Sequence, residues 1–281
     1  MKVIQSIQEM QQQMKLLKKQ NNEIGFVPTM GYLHDGHLTL VEQARRDNDI
    51  VVMSIFVNPL QFGPNEDFER YPRDFERDER LAEEKGIDIL FYPHVNDMYP
   101  TELSVSMSVE KRTNVLCGSS RPGHFDGVVT VLAKLFNIVM CDRAYFGMKD
   151  AQQVAVVDGL VQDYNIPVEL VPVEIVRELD GLAKSSRNVY LNETERQEAP
   201  RLYESLQLAV QKVLDGERNV EQLQAFIREH ITTYTSGEID YVEILSYPEL
   251  KELTDLKGQF IIALAVKFEK ARLIDNITMT I

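Results

Sequence analysis

One short run of the chain narrows the fold before anything else is considered. DIVVMSIFV (49–57) is apolar and β-branched, without the polar alternation of a strand that shows one face to water. Such runs belong to strands buried on both faces, as in a parallel sheet covered by helices on each side. IGFVP (24–28), IDILFYP (87–93) and RAYFG (143–147) read as further strands, and VEIV (173–176) as the last of the core. Helical patterns separate them: HLTLVEQARR, the charged RDFERDERLAEEKG closed by Gly86, GVVTVLAKLFNIVM (127–140), apolar nearly all round, and AQQVAVVDGLVQDY (151–164). The opening MKVIQSIQEMQQQMKLLKK reads as one amphipathic helix, with Ile7, Met10, Met14 and Leu17 at helical spacing. This alternation predicts an α/β fold, a Rossmann-like doubly wound parallel sheet with right-handed crossovers.

Beyond residue 177 the texture changes. Two amphipathic helical patterns, ETERQEAPRLYESLQLAVQKVL and NVEQLQAFIREHITTY, precede YVEIL, GQFIIALAV and ARLIDNITM, which alternate like antiparallel strands. We therefore expect a catalytic domain over 1–176 and a smaller C-terminal α+β domain over 177–281. Two cysteines, Cys117 and Cys141, exclude a disulfide framework or a four-thiolate metal site within one chain, and read as free thiols. No stretch approaches the roughly 20 apolar residues of a bilayer crossing. The first residues lack the apolar block of a secretory signal, so the expected location is cytoplasmic. A formal net charge of −14, from 44 acidic and 30 basic residues, argues against a nucleic acid partner. Phosphate chemistry here calls for a local cluster of cations and a small phosphorylated ligand.

That cluster has two candidate parts. Pro28-Thr29-Met30-Gly31-Tyr32-Leu33-His34-Asp35-Gly36-His37 joins the first long strand to the next helix, at the sheet edge where open α/β folds bind ligands. Gly36 permits close backbone approach. His34 and His37 can both face a phosphate chain at a helix N-terminus, whose dipole favours anions, and can stabilise charge on a phosphate under attack. Taken alone, the pair can also be incidental. Lys184-Ser185-Ser186-Arg187-Asn188 places two cations around two hydroxyls in a polar loop, a clamp for outer phosphates or a solvated turn. Three further segments sit at strand ends. Phe56-Val57-Asn58-Pro59-Leu60-Gln61-Phe62-Gly63 offers Asn58 and Gln61 for substrate hydroxyls and Phe62 for an apolar wall. Arg121-Pro122-Gly123-His124-Phe125-Asp126-Gly127 precedes the apolar helix. Tyr145-Phe146-Gly147-Met148-Lys149-Asp150-Ala151-Gln152-Gln153 brings Lys149 to phosphates and Gln153 to the pocket. Asp78 is a candidate helper for a metal ion, but as a single acid on a charged helix it reads rather as solvated surface.

Together, the His-x-Gly-His and Lys-Ser-Ser-Arg segments resemble the HIGH and KMSKS signatures of the nucleotidyltransferase superfamily. VPTMGYLHDGH, FVNPLQF, RPGHFDGV, YFGMKDAQQ and SSRN, in this order and spacing over residues 27–188, resemble more narrowly the pantothenate synthetase family. The segment around Tyr241-Val242-Glu243 is similar to that family's small domain. The resemblance implies an ATP-dependent ligase that activates pantoate as an acyl-adenylate and couples it to β-alanine. It implies ATP contacts at Met30, Gly31, His34, Gly36, His37, Gly147, Met148, Lys149 and Asp150, with Val176 meeting adenine through its backbone. Lys184, Ser185, Ser186 and Arg187 would clamp the triphosphate. His37, His34 and Lys149 would be the catalytic group, and Gln61 and Gln153 would bind pantoate, Gln61 serving β-alanine as well. Mg²⁺ is expected on the ATP oxygens, with no protein ligand set assigned, and a homodimer is implied. The family often has Met where Lys184 stands here.

Overall fold

In a computed structural model, residues 1–63 and 68–281 are described, and they form two compact units: Met1–Glu110 with Arg121–Glu174, and Lys111–Ser120 with Ile175–Ile281. Along the chain come β1 (Lys2–Ile4), α1 (Ile7–Lys19), β2 (Ile24–Thr29), α2 (Asp35–Asp47), β3 (Ile50–Ile55), α3 (Phe75–Glu84), β4 (Ile89–Phe91) and the short α4 (Val95–Met98). A single turn, α5 (Leu116–Ser119), precedes α6 (His124–Val139), β5 (Arg143–Gly147), α7 (Ala151–Asp163) and β6 (Glu169–Val173). The remainder is α8 (Glu193–Glu198), α9 (Pro200–Leu214), α10 (Val220–Tyr234), β7 (Glu238–Ser246), β8 (Gln259–Lys267) and β9 (Arg272–Thr280).

The six strands of the first unit lie in the order β1-β4-β3-β2-β5-β6, every pair parallel. Successive side chains on a strand point to opposite faces, and here both faces are covered. Phe26 and Val52 pack with Met10 and Met14 of α1, Leu132 and Phe136 of α6, and Val157 of α7. Val27, Val51 and Met53 pack on the other face with Leu40, Val41 and Ala44 of α2 and Ala82 of α3. The apolar run at 49–57 is therefore β3 with no wet side. β2 lies between β3 and β5, so the chain leaves β2 toward one side of the sheet while β5 serves the other. The crevice above the carboxyl ends of β2 and β5 is the switch point where such sheets bind ligands.

Three expectations change. Lys2–Ile4 is a strand, not helix: it pairs with β4 through Lys2↔Ile89 to Ile4↔Phe91, and α1 starts only after the Ser6 cap. The last core strand is Glu169–Val173, earlier than VEIV; Pro172 is tolerated because β6 is an edge. Residues Lys111–Ser120 belong to the second unit, so the first is not contiguous.

In that second unit β7, β8 and β9 form an antiparallel sheet whose central strand buries Phe260, Ile262, Leu264 and Val266 against helices α9 and α10. Its returning segment is held from within: the Leu116 N–H reaches both Glu243 carboxylate oxygens at 3.2 Å, and Cys117 Sγ lies 3.4 Å from the Tyr241 hydroxyl. Both cysteines are free thiols. Arg177 donates to both oxygens of Asp275 at 2.7 and 2.9 Å and stacks on Tyr203, with Asp275 only 4% exposed. Removing Arg177 takes two charge-assisted hydrogen bonds away from a buried carboxylate. Arg177→Met is therefore expected to cost about 3 kcal/mol in urea unfolding of this unit; an unchanged midpoint would show that the pair contributes nothing.

Candidate active site

The turn after β2 is conformationally unusual. Gly31 has φ +86° and Tyr32 φ +53°, two left-handed residues in succession. A side chain at Gly31 would also put Cβ 2.9 Å from Ile55 Cγ2 and 3.0 Å from an Asp78 oxygen, so glycine is needed on both counts. His34 then caps α2: its Nδ1 accepts the Gly36 N–H at 3.1 Å, and the His37 Nδ1 accepts the His34 N–H at 3.3 Å. This is a capping box built from two imidazoles. At Gly36 a Cβ would fall 2.8 Å from the His34 ring, so a side chain there would push that ring out of its capping position.

The caps fix the tautomers. A neutral imidazole has one donor and one acceptor nitrogen, and in both rings Nδ1 is taken as acceptor. Each ring therefore carries its proton on Nε2, the nitrogen not engaged in the cap. The two rings lie 4.1 Å apart at 35°. The His37 pKa is pushed down to about 3, first by burial, then by His34, with Asp150 opposing and Lys149 assisting. The ring keeps some accessible surface, but the density of protein around it dominates. At neutral pH, His37 is thus an uncharged hydrogen-bond donor.

Lys149 and Asp150 come from the end of β5. Gly147 closes that strand, Met148–Asp150 make one tight turn, and α7 begins at Ala151. Their charges act on His37, so the loops after β2 and β5 lie near each other at the switch point. Nothing lies within 4 Å of a Cβ built on Gly147, which leaves open space beside the strand end. Gln153 is half-buried in the first turn of α7.

The segment after β3 shows what the sequence did not reveal. Gln61 is 8% exposed and Asn58 is fully buried. Asn58 Nδ2 donates to Gln61 Oε1 at 3.0 Å and to the Gly127 carbonyl at 3.0 Å, while its Oδ1 accepts from the Tyr99 hydroxyl at 2.9 Å. Asn58 thus holds Gln61 by its side-chain oxygen, which leaves the Gln61 amide nitrogen as the group that can donate. The Arg121–Gly127 segment is the platform beneath. His124 Nδ1 lies 2.8 Å from the Gln61 carbonyl, which only accepts, so Nδ1 carries the proton and Nε2 accepts from Arg121 at 3.0 Å. A Cβ on Gly127 would sit 2.1 Å from the Leu60 carbonyl oxygen, so glycine lets α6 press against the loop. Phe62 packs edge-on to Phe68 and Tyr71. Arg and His at i and i+3 before a helix were the available signal.

Asp78 requires correction. It is 1% exposed rather than solvated, and it accepts from the Tyr32 N–H at 2.6 Å and the Leu33 N–H at 2.8 Å. The remaining candidates lie in the second unit. The Lys184 N–H donates to the Val176 carbonyl at 2.9 Å, so those two positions are joined in one hairpin. Ser185 caps the turn Ser186–Tyr190 by accepting from the Arg187 N–H at 3.2 Å, and the Lys184 ammonium sits 3.8 Å from Glu178.

A parallel α/β protein with two capping imidazoles and a lysine at its switch point belongs to the broad class that binds ligands above the carboxyl ends of its strands. Comparison narrows that class: the family model described as pantoate-beta-alanine ligase matches residues 2–278, and the chain belongs to that family of ligases. It is 60% identical over 281 residues to the pantothenate synthetase of Bacillus anthracis (strain A0248), covering all of both chains. It is 62% identical to that of Geobacillus sp. (strain WCH70), covering 99% of each. Among solved structures, pantothenate synthetase from Thermus thermophilus aligns with a TM-score of 0.92 at 46% identity over 99% of each chain. Pantoate-beta-alanine ligase from Francisella tularensis, complexed with beta-gamma ATP and beta-alanine, gives 0.78 at 34% identity over 99% of this chain and 97% of its own.

The low His37 pKa has a measurable sign. An unfolded imidazole takes its proton near 6.5 and the folded one only near 3, so between those values the unfolded state binds the extra proton and stability falls as pH falls. An NMR titration should show His37 neutral down to at least pH 5, and melting temperature dropping as pH goes from 6.5 toward 3. A His37 midpoint at 6 or above would contradict the buried-donor assignment.

Proposed function

We propose that this chain makes pantothenate from pantoate, β-alanine and ATP. The pantoate carboxylate attacks the α-phosphorus in line, forming pantoyl-adenylate and releasing pyrophosphate. The β-alanine amine then attacks the acyl carbon, forming the amide bond and expelling AMP. The observation that carries this reading is the pairing of His34 and His37, both Nε2–H donors, with Lys149 at the crevice between β2 and β5. Neutral donors suit the first step: they meet the growing charge on the α-phosphate without a resident counter-charge to displace.

Gln61, held by Asn58 and by the Arg121–His124 pair, is the substrate group for pantoate and β-alanine, with Gln153 as its counterpart on α7. Met30, Gly31, Gly36, Gly147, Met148 and Asp150 line the nucleotide side. Val176 and the Lys184–Arg187 loop are assigned to adenine and the outer phosphates on the family resemblance. Mg²⁺ enters with ATP on the phosphate oxygens and needs few protein ligands. The same resemblance supports a homodimer working in the cytoplasm; among the described residues no helix is long and apolar enough to cross a membrane.

The test is AMP release with Mg-ATP, pantoate and β-alanine supplied together and each omitted in turn. AMP should form at an appreciable rate only with all three, and His37→Ala should lower the first-step rate by about 10²-fold or more. AMP release indifferent to β-alanine and pantoate would sink the reading.

A further inference from the structure

Two successive left-handed residues do not hold a turn by themselves. Gly31 adopts that region freely, but Tyr32 does so at a cost of about 1 kcal/mol or more. Such a turn persists only where its surroundings over-determine it. Here the restraint comes from a different element. Asp78 of α3 accepts the consecutive N–H groups of Tyr32 and Leu33 at 2.6 and 2.8 Å, one on each carboxylate oxygen. Its neighbour Arg77 donates to the Leu33 carbonyl at 2.9 Å and lies over the Tyr32 ring at 5.3 Å. The polar groups of this short backbone stretch are thus gripped by two adjacent side chains on one helix.

We infer that Asp78, supported by Arg77, is a positioning residue for adenylation: it fixes the left-handed turn that sets where His34 caps α2 and hence where both imidazole Nε2 atoms point. Asp78 touches neither histidine ring, and its charge is not among the causes of the His37 shift, so it acts through backbone geometry. The carboxylate is buried because it fills a concavity of two converging N–H groups, a shape that otherwise attracts anions. An isosteric amide cannot replace it: Asn keeps one acceptor, and its NH₂ would face the second N–H donor to donor.

The kinetic part of this inference rests on the function proposed above, so the experiment has two arms. In the first, Asp78→Asn is compared with wild type in pantoate-dependent ATP–pyrophosphate exchange and in the full reaction. We expect the exchange kcat to fall about ten-fold or more while KM for β-alanine stays within two-fold. Glu76→Gln, an equal charge change on the exposed face of α3, should leave both unchanged. In the second arm, the His37 ring resonance, identified by its loss in His37→Asn, should move in Asp78→Asn and stay in Glu76→Gln. If Asp78→Asn does not fold, Arg77→Gln takes its place, with a three-fold or greater loss of exchange expected. An exchange rate within three-fold of wild type with an unmoved His37 signal overturns the inference. If wild type itself shows no exchange, the proposed function fails, and the resonance arm alone decides whether Asp78 sets the turn.

Discussion

β2 is paired along both edges and buried on both faces, and the chain can leave it only at its carboxyl end, into the crevice it shares with β5. That constraint orders everything above the sheet. The exit must turn sharply to start α2 on one face, and the turn uses Gly31 and Tyr32 in left-handed conformations. The helix must be capped, and His34 and His37 do it with their Nδ1 atoms. The second nitrogen of each ring, Nε2, takes no part in the cap. β5 ends alongside and contributes Lys149, and β3 ends one strand further on and contributes the Gln61 loop. Strand order therefore brings these loops to one end of the sheet, with the charged helix α3 bracing the first turn.

Electrostatics divide by range. The net charge of −14 does not steer a polyphosphate toward the molecule, and beyond about 10 Å salt screens much of what field there is. Attraction has to come from short-range groups: lysine, imidazole N–H donors and the N-terminus of α2. Keeping His37 uncharged by burial fits this division. In the proposed first step, a histidine that was already protonated would bind ground-state phosphate and transition state alike, whereas a neutral donor would gain most as charge develops.

Much of this was legible in the chain. Strands 24–29, 50–55 and 143–147 stand out because burial on both faces leaves no polar alternation, and the motifs at their ends fall at the crevice for the same reason. β1 was hidden because three residues ahead of a strong amphipathic helix carry no period of their own. β6 was displaced because Pro172 argues against a strand, yet an edge tolerates it. Asp78 was misjudged from its charged neighbours, although Phe75, Asp78 and Ala82 recur at helical spacing and Ala82 is core. An acid on the inward stripe was the clue. The Arg121–His124 support of Gln61, and the joining of Lys111–Ser120 to the second unit, depend on contacts between distant residues, which local periodicity does not encode.

The proposed first step joins the pantoate carboxylate to the α-phosphorus of ATP. Pantoate labelled with oxygen-18 in its carboxyl group tests it directly, by mass spectrometry of the nucleotide product after reaction with ATP and β-alanine. An acyl-adenylate requires one labelled oxygen to pass into each AMP, the other remaining in the amide carbonyl. Unlabelled AMP, or ADP formed with label in inorganic phosphate, would contradict the account and place the attack at another phosphorus.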